Sequence, residues 1–298
     1  MRTLSVFSLL VLFVGSAVAQ GPNLQDHQSI ALVGLTTAST PQNSFNFKTV
    51  DVPGATLTHA NGINARGEIV GFYLDSSGLQ HGFLQNQSGF RTVDFPGANG
   101  TAAEAINARD EIVGVYGDSA GANHGFVMKG RHFRTFDFPG ATSTELFAVN
   151  DALEIAGVYN GSDLVDHGFR SSDDDFTTID FPEAALTDVF GLNECGEIVG
   201  LYVDANGANH GFLLSRGTFS TVDVPSAANT VAHGINARHQ IVGFYNNRHG
   251  FLLSNGTFIT IDLPGATSTK ARGINARGEI TGSYTDAAGV EHGFVATK

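Results

Sequence analysis

The chain has 298 residues, with 16 Lys and Arg against 29 Asp and Glu, a formal net charge of −13. The acidic surplus argues against nucleic acid or an anionic membrane as partner, and a single cysteine excludes a disulfide scaffold or a multi-cysteine zinc site. Its 37 Gly and 8 Pro fall short of a collagen or low-complexity composition, while 42% apolar residues, including 23 Phe, suffice for a sizeable core.

In chain order, the first element is a leader. Met1-Arg2, the apolar run Leu9 to Val14 and the small-residue site Ala17-Val18-Ala19 read as a secretory signal peptide over residues 1–19. The run is too short for a membrane span, which needs about 20 residues. Residues 20–45 form an N-terminal extension or linker. The expected location is extracellular, or periplasmic if the source is bacterial. Asn86, Asn99, Asn160 and Asn255 head N-x-S/T triplets, which matter only on a eukaryotic secretory route.

Residues 46–298 are six copies of one unit. His-Gly-Phe starts at His81, His124, His167, His210, His249 and His292, in steps of 43, 43, 43, 39 and 43. An apolar residue followed by Asn recurs at Asn64, Asn107, Asn150, Asn193, Asn236 and Asn275, and all six tyrosines hold one position in the unit. Asp-x-Pro recurs as well, from Asp51 to Asp262. Each unit reads as four short strands bounded by turn residues. In the first unit, strand A ends at Gly62-Ile63-Asn64 and strand B is Glu68 to Leu74, apolar on both faces. Strand C is His81 to Leu84, and strand D is Phe90 to Asp94, ended by Pro96-Gly97. Four strands per unit of about 43 residues predict an all-β, six-bladed β-propeller. A lone strand D at Phe47 to Asp51 is expected to complete the sixth blade and lock the ring. A parallel β-helix is the rival, but its coils are usually shorter.

The run Gly62-Ile63-Asn64-Ala65-Arg66-Gly67-Glu68-Ile69-Val70-Gly71, followed by His81-Gly82-Phe83, resembles the HAF-repeat family of secreted bacterial proteins. The resemblance covers residues 46–298, with Gly where the family name has Ala. It implies an extracellular protein and brings no catalytic residues.

Polar residues repeated six times are expected to satisfy each blade's buried polar groups, since a single active site needs only one set. Six histidines around a ring lie too far apart to share a metal, and neither a metal nor another cofactor is expected. Gly117-Asp118-Ser119-Ala120-Gly121 matches the nucleophile-elbow pattern, but it falls in a B–C turn with no helix after it. The acidic run Asp173-Asp174-Asp175 reads as a solvated turn, and Cys195 as an exposed thiol. Arg66, Arg109, Arg238 and Arg277 share one turn position and are expected to pair in solvent with nearby Glu68, Glu111 and Glu279.

The copies disagree at two columns of strand A. After a threonine kept in all six units come His59, Ala102, Glu145, Asp188, Val231 and Lys270. Two residues further on come Asn61, Glu104, Phe147, Phe190, His233 and Arg272. With strand A innermost, these residues ring the channel mouth on the face of the D–A turns. The candidate ligand-binding set is His59, Asn61, Glu104, Glu145, Phe147, Asp188, Phe190, His233, Lys270 and Arg272. His59 or His233 suits a base, Lys270 or Arg272 an anion or carboxylate, and Phe147 and Phe190 an apolar wall. The leading expectation is a secreted, monomeric binding module for a glycan or a cell-surface protein. A polysaccharide lyase or glycoside hydrolase at the mouth, and a structural matrix protein, are the alternatives.

Overall fold

The computed structural model describes residues 45–298, apart from Asp174. The expected signal peptide and all of the expected extension except Phe45 therefore lie outside the described residues. Twenty-four strands and no helix occur among the described residues, arranged as six four-stranded antiparallel sheets. The chain is a six-bladed β-propeller. In blade 1, strands A to D are Leu57–Ile63, Ile69–Leu74, Gln80–Asn86 and Gly89–Val93, adjacent in that order. Strand C thus extends at both ends beyond the predicted His81 to Leu84. The A strands contact one another in a closed cycle from blade 1 through blade 6 and back, so strand A lines the channel.

Blade 6 takes strands A to C from the C-terminal part, as Ser268–Ile274, Ile280–Thr285 and Glu291–Thr297. Its strand D is the N-terminal segment Asn46–Val50, paired antiparallel with strand C from Asn46↔Thr297 to Val50↔Gly293. The expected closure is present, one residue earlier than Phe47 to Asp51. Phe47 meets the Phe294 ring edge-on at 5.5 Å, and Val50 is buried. The step of 39 reflects a shorter B–C turn in blade 5, where only three residues separate Tyr245 from His249.

The phenylalanine of each His-Gly-Phe is the centre of its blade. Phe83, Phe126, Phe169, Phe212, Phe251 and Phe294 are all at most 1% exposed. Each ring lies over a strand B glycine. A Cβ on Gly71 would fall 1.9 Å from the His59 carbonyl oxygen and 2.9 Å from the Phe83 ring, so any side chain there would drive strands A and B apart. The middle residue of the triplet is equally confined: a Cβ on Gly82 would sit 2.4 Å from the Val93 carbonyl oxygen.

Two of the repeated polar residues satisfy buried groups, as expected. The Asn64 side-chain oxygen accepts from the N–H groups of Arg66 (3.0 Å) and Glu68 (3.1 Å), closing the A–B turn. Its Nδ2 donates to the carbonyl of Asn107 in the next blade at 3.3 Å. Each asparagine repeats this link to the following blade, and Asn275 returns to the Asn64 carbonyl at 3.0 Å, so the belt closes. Thr58 accepts from the Val52 N–H at 3.2 Å and fixes the D–A turn, and the other five threonines do the same in their own blades.

The histidines differ from expectation. Their side chains are 19% to 36% exposed on the rim and bind surface carboxylates. His81 Nδ1 lies 2.7 Å from Asp94 and Nε2 3.4 Å from Asp75, while the ring stacks on Tyr73 at 5.1 Å. The Tyr73 hydroxyl in turn meets Thr92 on strand D at 3.3 Å. Partial desolvation lowers the pKa of His81, but the hydrogen bonds and charges of Asp94 and Asp75 outweigh it and raise the value. Of the expected arginine pairs, Arg66–Glu68 (2.6 Å) and Arg277–Glu279 (2.5 Å) are present. Glu111 instead takes Lys129 at 2.8 Å.

The belt makes a direct prediction. Asn107→Ala leaves the buried N–H of Glu111 without its acceptor, at about 1–3 kcal/mol, and removes the link to the Asn150 carbonyl, which keeps the Leu153 N–H. Urea unfolding should show that loss, whereas Ser88→Ala at an exposed turn should change stability by less than about 0.5 kcal/mol.

Candidate ligand-binding mouth of the channel

The sixfold pattern carries one irregularity in every inner strand. The A–B ladder skips one residue between Ala60 and Gly62, and again at the equivalent place in the other five blades. The skipped residues are Asn61, Glu104, Phe147, Phe190, His233 and Arg272, the second variable column. A bulge bends its strand and re-aims the extra side chain, here toward neighbours around the channel. Asn61 Nδ2 donates to Glu104 Oε2 at 2.8 Å. Phe147 meets Phe190 edge-on at 5.2 Å, and Phe190 stacks on His233 at 4.9 Å with the rings 6° apart. Arg272 donates to His233 Nε2 at 3.1 Å. The second column therefore forms two sets of contacting side chains, Asn61 with Glu104 and the run Phe147, Phe190, His233 and Arg272.

The first column lies one step nearer the D–A turns and is more varied in exposure. Ala102, Asp188 and Val231 are buried, while His59, Glu145 and Lys270 are part-exposed. Sequence reasoning missed their partners, which come from the residue just before His-Gly-Phe in the preceding blade. Asn123 donates to Glu145 at 2.7 Å, 22 residues along, and Glu291 takes His59 Nε2 across the ring closure. Asp166 stands in the same relation to Asp188, and its carboxylate accepts from Asn160. The signal was available: this column, Gln80, Asn123, Asp166, Asn209, Arg248 and Glu291, varies between copies as freely as the two that were read.

The chemistry follows from burial. Desolvation pushes Glu104 up to about 8, partly opposed by the positive charge of Arg272. Desolvation, then the charges of Asp166 and Glu145, holds Asp188 well above the usual carboxylate range. His233 is pulled down to about 3 by desolvation and by Arg272. Its Nε2 must accept from a guanidinium that can only donate, so the imidazole is neutral. His59 is lowered mainly by desolvation, and Glu291 mainly by its hydrogen bond to His59. Both shifts fit a neutral imidazole donating from Nε2 to a carboxylate, which leaves Nδ1 as a bare acceptor. Eight buried side-chain polar atoms among the described residues lack a partner. Five of them belong to the three mouth columns: His59 Nδ1, Asn61 Oδ1, Gln80 Nε2, Asp188 Oδ1 and Arg272 Nε.

The other motifs do not join this site. Gly117–Gly121 is a B–C turn, in which Asp118 accepts from the Ala120 and Ala122 N–H groups at 2.8 and 2.9 Å. Cys195 is exposed and lines a cavity of about 550 Å³ at the opposite end of the propeller, beside Arg170, Arg216 and His239. No group of three or more His, Cys, Asp or Glu residues able to hold a metal occurs among the described residues, and none of their helices is long and apolar enough to cross a membrane.

No family model matches the sequence, and no curated protein matches it at a significant level. The fold is shared with solved propellers. The fucose-specific lectin from Aleuria aurantia has 10% identity and a TM-score of 0.50, with 83% of this chain and 93% of that one covered. A mutant of the same lectin in complex with Fucα1-6GlcNAc has 10% identity and a TM-score of 0.51 over the same shares. The β-propeller domain of the Trilobed protease from Pyrococcus furiosus, described as having an open velcro topology, has 8% identity and a TM-score of 0.51 over 81% of each chain. At these identities the likeness is one of fold.

Glu104 provides a pH test. The folded protein holds its proton up to about 8, whereas the ordinary value is 4.5, so this group costs stability progressively as pH rises between those values. Glu104→Gln keeps an acceptor for Asn61 and cannot ionise. Its stability relative to wild type should therefore rise from pH 5 to pH 8.5 in urea unfolding, and a constant difference would count against a protonated Glu104.

Proposed function

We propose that the chain is a secreted glycan-binding propeller that takes one ligand at the D–A mouth of its channel. The observation that carries this reading is the clustering of five of the eight unpartnered buried donors and acceptors among the described residues at three divergent columns of the D–A end. Elsewhere the hub is regular to the level of single hydrogen bonds. Polar atoms of both kinds beside aromatic rings, here Phe147, Phe190, Phe72 and Phe244, are what a sugar with its hydroxyls and apolar face requires. Propellers of the same fold that bind fucosides lend support by analogy. In this reading the leader at 1–19 and the HAF-like repeat belong to a protein working as a monomer in the periplasm or outside the cell.

The enzymatic reading is weaker on the geometry. His233 is neutral, stacked and held by Arg272, which commits one of the two expected bases, and burial lowers the basicity of the other, His59.

A glycan array followed by calorimetry tests the proposal. Wild type should bind a glycan with one site per chain, and the pair Glu145→Ala with Lys270→Ala should weaken it by about tenfold or more, roughly 1.4 kcal/mol. Cys195→Ser, at the opposite end, should leave affinity unchanged. A stoichiometry near six, or affinity indifferent to the mouth pair, would move the site to the blade interfaces. Absence of glycan binding in every form would overturn the reading in favour of a protein partner.

A further inference from the structure

Blade order gives the mouth an electrical direction. In a closed ring of six, blade 3 faces blade 6, blade 4 faces blade 1, and blade 2 faces blade 5. Blades 3 and 4 bring Glu145 and Asp188 to the mouth, with Asp166 beside them. Blades 6 and 1 bring Lys270, Arg272 and His59. Between these sectors, blades 2 and 5 contribute only Ala102 and Val231 to the first column.

We infer that the mouth recognises a dipolar ligand, with a carboxylate at the Lys270–Arg272 side and an ammonium at the Glu145–Asp188 side. Resting on the glycan-binding reading, that ligand is an amino sugar bearing a carboxylate.

The protein itself offsets only part of the positive sector, through Glu291 of blade 6. Lys270 makes no ion pair among the described residues, and its ammonium lies over the Phe244 ring at 5.3 Å. Arg272 gives one N–H to a neutral imidazole, and its Nε has no acceptor. Glu291, which accepts from the neutral His59, offsets one of the two cationic charges, and Glu104 is held protonated by burial, so one positive charge is left for a ligand. Across the channel, Asp188 is 5% exposed with Oδ1 unpartnered. Glu145 and Asp166 accept only from the neutral amides of Asn123 and Asn160. Burial shifts Asp188 and Glu145 toward their protonated forms, and an ammonium beside them favours their ionisation, so a ligand with both charges finds a partner in each sector. The arrangement also rejects wrong partners. A simple anion meets three carboxyl groups opposite its site, and a simple cation meets Lys270 and Arg272, so each alone is disfavoured relative to the dipole. Long polyanions are further opposed by the net charge of −13.

Calorimetry at pH 7 with five probes decides the matter. Muramic acid carries both charges, N-acetylmuramic acid only the carboxylate, glucosamine only the ammonium and N-acetylglucosamine neither, while 6-aminohexanoate is dipolar without a sugar. Muramic acid should bind at least about tenfold tighter than the three sugars lacking one or both charges. Lys270→Gln should erase its advantage over glucosamine, and Asp188→Asn its advantage over N-acetylmuramic acid, with thermal unfolding confirming that both variants are folded. A merely structural role for either residue would weaken all sugars alike. Equal affinity for muramic and N-acetylmuramic acid, or no binding of either dipolar probe, overturns the inference. Binding of neutral sugars without discrimination overturns it while leaving the glycan reading intact. Binding of 6-aminohexanoate but of no sugar supports the dipolar mouth and removes the glycan.

Discussion

Polar groups that a ring of blades buries at its hub have to find partners inside the ring, and six asparagine side chains meet that demand. Each asparagine closes its own A–B turn with its oxygen and reaches the next blade's main chain with its nitrogen. Because the last link returns to the first blade, the hub is a circuit with no loose end. The circuit sets the spacing and tilt of the six inner strands. The threonines then fix the opposite ends of those strands. With both ends held, the middle of each strand can carry any side chain the channel accommodates, including residues as different as Phe190 and Arg272.

That division explains what was legible in the residues. Repeat length, strand number, ring closure and the innermost place of strand A all follow from spacing, since each is imposed six times by the same local chemistry. The bulge was not legible. Residues 59 and 61 are two apart, which reads as one face of an ordinary strand, and every strand A carries the same extra residue, so none differs in length to reveal it. The bulge turns the second column toward its neighbours in adjacent blades. The histidines were misread for a related reason. His81 finds its partners at Asp75 and Asp94, within its own blade but on the outer rim, and composition cannot distinguish a rim network from a buried one.

The grouping of side chains at the D–A end was legible in part. Variation within strand A pointed to it, but the residues that complete it sit at the start of strand C in the preceding blade. Asn123 and Glu145 become neighbours only when adjacent blades are laid side by side. The same juxtaposition brings Asp166 beside Asp188 and Glu291 beside His59, so the electrical character of the mouth belongs to pairs of blades. The sixfold frame tolerates this because its own stability resides in the six buried Phe rings and the asparagine circuit.

The closing strand has a consequence for how the molecule comes into being. Asn46–Val50 is among the first parts of the propeller to be synthesised, and its partner Glu291–Thr297 is the last. Until the final strand is complete, blade 6 keeps an unpaired edge, the kind of surface that invites pairing with another chain. Contacts so distant in sequence also form late and slowly. The first five blades can each draw on neighbours made shortly before them, but the ring becomes a ring only once Glu291–Thr297 has been made. A partly made chain is therefore an open arc, and its hazard is intermolecular.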